Sequence, residues 1–211
     1  MTGKTHMSVG LAASSLLLKH PKSRVEFGIF LGFAVIGALM PDVDQKQSTL
    51  GHFINVVMIS ILIGLIALKV IGIVPQYSSY IQNSILLKSL FQAVTADILG
   101  MSNFFTIIGC VLIIINIIVA RITGHRKFAH SFLGFISFSV GIFLLFGMLV
   151  LKPFVIGYIS HLAIDLLNYK EEKLFFPSKF GVCLNLVRTG GAIDHALGFC
   201  AVAVFLALNL S

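Results

Sequence analysis

FAHSFLGFISFSVGIFLLFGMLVLKPFVIGYISHLAIDLLN, residues 128–168, carries one lysine, Lys152, and one acid, Asp165. Apolar runs of this length belong in a bilayer as helices. Pro153 divides the stretch, because proline suits a first helical turn. Two helices are therefore expected, Phe128–Leu151 leaving one membrane face and Pro153–Asn168 returning to it. His130 then lies at the start of the first, and His161 and Asp165 near the end of the second. Imidazole and carboxylate are expensive near lipid. They are also the usual ligands of zinc, manganese and iron.

The rest of the chain has the same character. Of 211 residues, 57% are hydrophobic and 11% charged, and the mean hydropathy is +1.01. An ordinary soluble domain has roughly 25% charged residues. The expected fold is all-α, a polytopic membrane bundle of about six to seven helices, some short or half-spanning, forming a single domain over residues 1–211. The net charge of +7 sits in short loops, which reads as membrane orientation and anionic-lipid contact. No basic helix or aromatic-basic surface suggests nucleic acid. Cys110, Cys183 and Cys200 form no CxxC pair, so neither a disulfide framework nor a thiolate zinc site is expected. The N-terminal run has no A-x-A-like site after it and is expected to be retained.

The remaining apolar runs are Met7–Leu18, Val25–Met40, Phe53–Val74, Phe104–Ala120 and Ala192–Leu210, with Ile85–Leu99 as a surface amphipathic helix. If Met7–Leu18 and Val25–Met40 form a hairpin, counting crossings brings four polar islands to one face. These are Thr5-His6, Pro41–Asp44, Gly124–Ser131 and Ser160–Asp165, and Asp194 joins them at the start of the last helix. Nine of the fifteen cations fall on that side and six on the other. The positive-inside rule then favours a cytoplasmic site on a multi-pass protein of the inner membrane.

His161 and Asp165 are four apart and share one helix face, so both can bind one metal. Their bland alternative is a buried hydrogen bond between helices. Asp42 and Asp44 follow Pro41 and can bridge cations or cap the next helix. His125 and His130 supply imidazole, and Arg126 is a planar donor suited to phosphate. Ser131 either caps backbone groups or touches a ligand. His20 and His52 have no matched partner, His195 is ambiguous, and Lys170-Glu171-Glu172-Lys173 reads as a solvated charge run.

With these residues the chain resembles the YdjM-like family of bacterial and archaeal inner-membrane proteins, described as metal-dependent hydrolases. The resemblance runs through His6 and Gly10, Met40–Asp44 with Ser48 and Gly51, Gly124–Arg126, His130-Ser131, Gly157-Tyr158, Ser160-His161 and Asp165. Phe176-Pro177 and Arg188–Gly191 complete the order. Two positions depart from it: Ala129 stands where the family usually has Thr, and Asp194 where it usually has Glu.

The leading expectation is a membrane hydrolase acting on a phosphoester of a lipid or lipid-linked substrate. One to three divalent ions, zinc or manganese foremost, would be held by His6, Asp42, Asp44, His125, His130, His161 and Asp165. Asp194 would serve as general base or as partner to a ligand histidine. Arg126, Arg188 and Ser131 would contact the anionic substrate. The alternatives are a metal-ion or proton transporter, and a structural or regulatory membrane protein with a stabilising metal.

Overall fold

The computed structural model describes residues 1–17, 23–44 and 103–210, with a few single positions between 56 and 88. Most of the expected runs Phe53–Val74 and Ile85–Leu99, and the histidines His20 and His52, lie outside the described residues. Those residues hold five α-helices rather than six to seven: α1 (Gly3–Leu17), α2 (Arg24–Leu39), α3 (Asn103–Thr123), α4 (Phe132–Asp165) and α5 (Ala192–Leu210). Among them there is no β-strand, only isolated bridges pairing Asn168 with Val187 and Glu172 with Val182.

Local chemistry explains where the helices start and stop. Ser23 caps α2, its Oγ accepting from the Glu26 N–H at 3.1 Å, as in a Ser-x-x-Glu capping box. Pro41 follows the end of α2, and Met40–Asp44 tightens into a buried 3₁₀ turn. Gly124 ends α3 at φ +83°, where a side chain is strained, and its N–H closes back on the Ala120 carbonyl.

α4 does not break at Pro153. It reverses at Gly147, whose φ of 74° and ψ of −169° fall in a region open essentially to glycine alone. A straight helix of 34 residues would be about 50 Å long. Instead the two arms lie side by side: the rings of Phe135 and Tyr158 are 5.4 Å apart, and the Tyr158 hydroxyl donates to the Ala129 carbonyl at 2.5 Å. Pro153 therefore sits inside the returning arm. Both ends of α4 come back to one end of the bundle.

α2 and α4 form the centre. Phe33, Ile36 and Met40 pack against Phe138, Leu145, Phe146 and Phe154, all buried. Small residues bring the backbones close, and a Cβ on Gly157 would lie 2.2 Å from the Ala34 carbonyl oxygen. α1 packs antiparallel to α2, with Gly10 against Ala38, so the expected hairpin exists. α3 joins α4 through Ser137 Oγ, which donates to Asn116 Oδ1 at 2.8 Å. The outward faces of α3 and α5 expose Phe104, Ile107, Ile114, Ile118, Phe199 and Leu206. Apolar outward faces are what helices in contact with lipid present. Among the described residues, four helices (α2 with its 3₁₀ turn, α3, α4 and α5) are long and apolar enough to cross a membrane.

Candidate metal centre

All seven residues expected as ligands converge at the end of the bundle where α2 and α3 finish and α4 begins and ends. His6 comes from the first turns of α1, Asp42 and Asp44 from the 3₁₀ turn, and His125 and His130 from the segment between α3 and α4. His161 and Asp165 close the returning arm of α4. Three overlapping triads have ligand atoms within 4.8 Å of one another: His6–Asp42–His161, Asp42–His125–His130 and His130–His161–Asp165. Asp44 joins through His125, with Nδ1 and Oδ1 3.1 Å apart.

The innermost atoms are tightly spaced. His130 Nε2 and His161 Nε2 are 3.3 Å apart. Asp42 Oδ1 lies 3.6 Å from the first and 3.8 Å from the second. Asp165 Oδ2 is 3.9 Å from both. Ligand atoms held by one zinc at about 2.0–2.2 Å are roughly 3.3–3.6 Å apart. The observed spacings need a contraction of a few tenths of an ångström.

Hydrogen bonding sets the imidazoles for this role. His161 Nδ1 donates to the Ala38 carbonyl at 2.6 Å, which leaves the Nε2 lone pair directed into the cluster. His6 stacks on His161, ring centroids 3.6 Å apart. Its Nε2 is 3.2 Å from Asp165 Oδ1 but out of line for a hydrogen bond, and neither of its buried nitrogens makes one. Asp44 Oδ2 is likewise buried without a partner. Buried polar atoms left unsatisfied are costly, and imidazole nitrogens and carboxylate oxygens are atoms that divalent ions take as ligands. His125 is the open member, its side chain 32% exposed, while His6, His130 and His161 are closed off.

The other expected site residues have different partners. Arg126, at φ +62°, donates from NH2 to Asp165 Oδ2 at 2.6 Å and from NH1 to the Lys170 carbonyl at 2.5 Å. Its guanidinium is engaged within the protein. Ser131 is the cap of α4: it donates to the Phe128 carbonyl and accepts from the Gly134 N–H. Its proton and one lone pair are used in this cap, and it is fully buried. Asp194 Oδ2 accepts from the Thr2 and Gly190 N–H groups at 3.0 and 2.8 Å. It fastens the start of α1, and with it His6, to the turn before α5. Arg188 lies on that turn and is exposed, as is His195.

Glu172 corrects the expectation of a solvated charge run. Glu171 is exposed and pairs with Lys173 at 3.1 Å, but Glu172 has no exposed surface and neither of its carboxylate oxygens has a hydrogen bond. Burial, with the Asp165 charge adding to it against the pull of Arg126, pushes its pKa up to about 9. Glu172 is bridged to Val182 and faces in with Leu174, while Glu171 and Phe175 face out.

The whole chain, residues 1–211, matches the family described as YdjM inner membrane protein. The chain belongs to that family. No curated protein and no solved structure matches it. Family membership and the four long apolar helices make this a multi-pass membrane protein.

Proposed function

We propose that this member of the YdjM family is a metal-dependent hydrolase of the membrane, acting on a phosphoester of a lipid or lipid-linked substrate. The observation that carries the reading is the convergence of four histidines and three aspartates on one buried cluster, with imidazole and carboxylate atoms facing one another at 3.3–3.9 Å. His130, His161, Asp42 and Asp165 would hold one ion, with His6, His125 and Asp44 completing that site or a neighbouring one. When bound, a divalent ion supplies Lewis acidity and an acidified water. Ala38 and Arg126 hold His161 and Asp165 in place for it. His125, on the open side, is where water and substrate would enter, and Asp44 opposite its Nδ1 would orient its ring.

Hydrolysis is favoured over transport by position. Every buried imidazole and carboxylate among the described residues lies at this one end, whereas an ion path needs such groups along its length. The cation bias of the sequence, nine against six, favours the cytoplasmic side for this end. The reading is tested with purified protein in lipid nanodiscs, supplied with zinc or manganese and a lipid phosphomonoester. Phosphate release that needs the metal and disappears in Asp165→Asn is expected. Full metal loading with no hydrolysis of lipid phosphomonoesters or phosphodiesters would overturn it.

A further inference from the structure

The side-chain cation at the cluster is not available to a substrate. Arg126 is buried, with one NH2 group on Asp165 and the other on the Lys170 carbonyl. An incoming anion would have to break a buried ion pair to reach it, which is strongly unfavourable. Anion recognition must then come from elsewhere at this end of the bundle.

A cavity of about 510 Å³ lies between the segment that follows α4 and the turn that precedes α5, lined by Asn168, Tyr169, Lys170, Arg188 and Thr189. That volume is within the range of small-ligand sites, roughly 300–1,000 Å³. Lys170 and Arg188 are exposed, and no carboxylate among the described residues pairs with either. Asn168, 3% exposed, organises the wall: its Nδ2 donates to Thr189 Oγ1 at 2.8 Å and its Oδ1 accepts from the Tyr169 N–H at 2.7 Å. With its oxygen already accepting, the Thr189 hydroxyl has its proton to donate. The turn bearing Arg188 is pinned through Gly190 to Asp194. A forked guanidinium, an ammonium and a hydroxyl from residues lining one open cavity suit the several oxygens of a phosphate.

The surroundings indicate what carries the phosphate. On the same loop, Tyr169, Phe175, Phe180, Leu184 and Leu186 are each more than half exposed. Large apolar side chains beside cations, at the end of a membrane bundle, belong to the headgroup layer. The chain also links cavity and cluster: the Asn168 N–H donates to the Asp165 carbonyl, and the Lys170 carbonyl holds Arg126.

We propose that this cavity seats the phosphate of an anionic lipid, with Arg188 and Lys170 as its charge partners and Thr189 as a donor. The proposal rests on the lipid-phosphoester reading for its biological sense, but its test involves no turnover. Full-length protein in a neutral detergent with EDTA is titrated calorimetrically with dihexanoyl phosphatidic acid and, separately, with inorganic phosphate. The short-chain lipid is expected to bind at least ten-fold more tightly than phosphate, and the double variant K170Q/R188Q to weaken it at least ten-fold with an unchanged circular dichroism spectrum. R188K is expected to recover part of that loss in a K170-intact protein when compared with R188Q, which separates charge recognition from a folding defect. Equal affinity for phosphate and lipid would overturn the lipid assignment, and lipid binding indifferent to both substitutions would overturn the site. Binding that persists while metal-loaded protein fails to hydrolyse sinks the hydrolase reading and leaves this one standing; hydrolysis with no effect of R188Q on binding does the reverse.

Discussion

Replacing Glu172 with glutamine is expected to stabilise the protein, and to do so only above the pH at which an ordinary glutamate ionises. Glu172 is fully buried, its carboxylate oxygens make no hydrogen bond, and its pKa is pushed up from 4.5 to about 9, first by burial and then by Asp165. Between those values the folded protein keeps a proton that the unfolded chain releases. Stability therefore falls as pH rises from 4.5 towards 9, and this group has no effect below 4.5. At pH 8 the gap is about 3.5 pH units, and at about 1.4 kcal/mol per unit the ceiling is about 5 kcal/mol. Water entering the site relaxes such penalties, so a gain of about 2–3 kcal/mol is expected for Glu172→Gln. At about 2–4 °C per kcal/mol, that is a rise in Tm of roughly 4–12 °C. Thermal unfolding is followed by circular dichroism in detergent with EDTA, at pH 8 and at pH 4.5. A rise at pH 8 with coincident curves at pH 4.5 is expected. Equal melting of the two proteins at both pH values would show that Glu172 is solvated and that the reasoning is wrong.

Three further substitutions probe how the centre is held. Gly147→Ala forces a side chain into a glycine-only conformation and should cost about 1–3 kcal/mol, seen as a lower Tm, with weaker zinc retention because the arm bearing His161 and Asp165 is displaced. Tyr158→Phe leaves the buried Ala129 carbonyl without its donor and should cost about 1–3 kcal/mol in the same assay. Asp194→Ala frees the Thr2 and Gly190 N–H groups and should lower zinc affinity about ten-fold by loosening His6, whereas Asp194→Asn keeps an acceptor there and should lose less; equal losses would mean that charge rather than positioning matters.

Much of this was legible from hydropathy and crossing parity. Runs such as Phe104–Ala120 and Ala192–Leu210 announce themselves, and counting them placed His6, Asp42, His125, His161 and Asp165 at one face before any geometry. The break in α4 was not legible in that way. Lys152-Pro153 interrupts the apolar pattern and Gly147 does not, yet the reversal depends on a backbone conformation that only Gly147 supplies. Side-chain partners were also out of reach. Arg126 and Ser131 have the right chemistry for substrate, but Asp165 and the Lys170 carbonyl engage the first, and the start of α4 uses the second. Glu172 was hidden because four charges in a row look solvated, while its bridge to Val182 and its burial depend on residues distant in sequence.

The most direct test of a metal centre is anomalous scattering at the zinc and manganese edges from crystals of the metal-loaded protein. A peak is expected within about 2.0–2.3 Å of His130 Nε2 and His161 Nε2, shared with Asp42 or Asp165, and absent from a His130→Ala, His161→Ala double variant. Well-ordered density at these four side chains with no anomalous signal at either edge, under saturating metal, would contradict it.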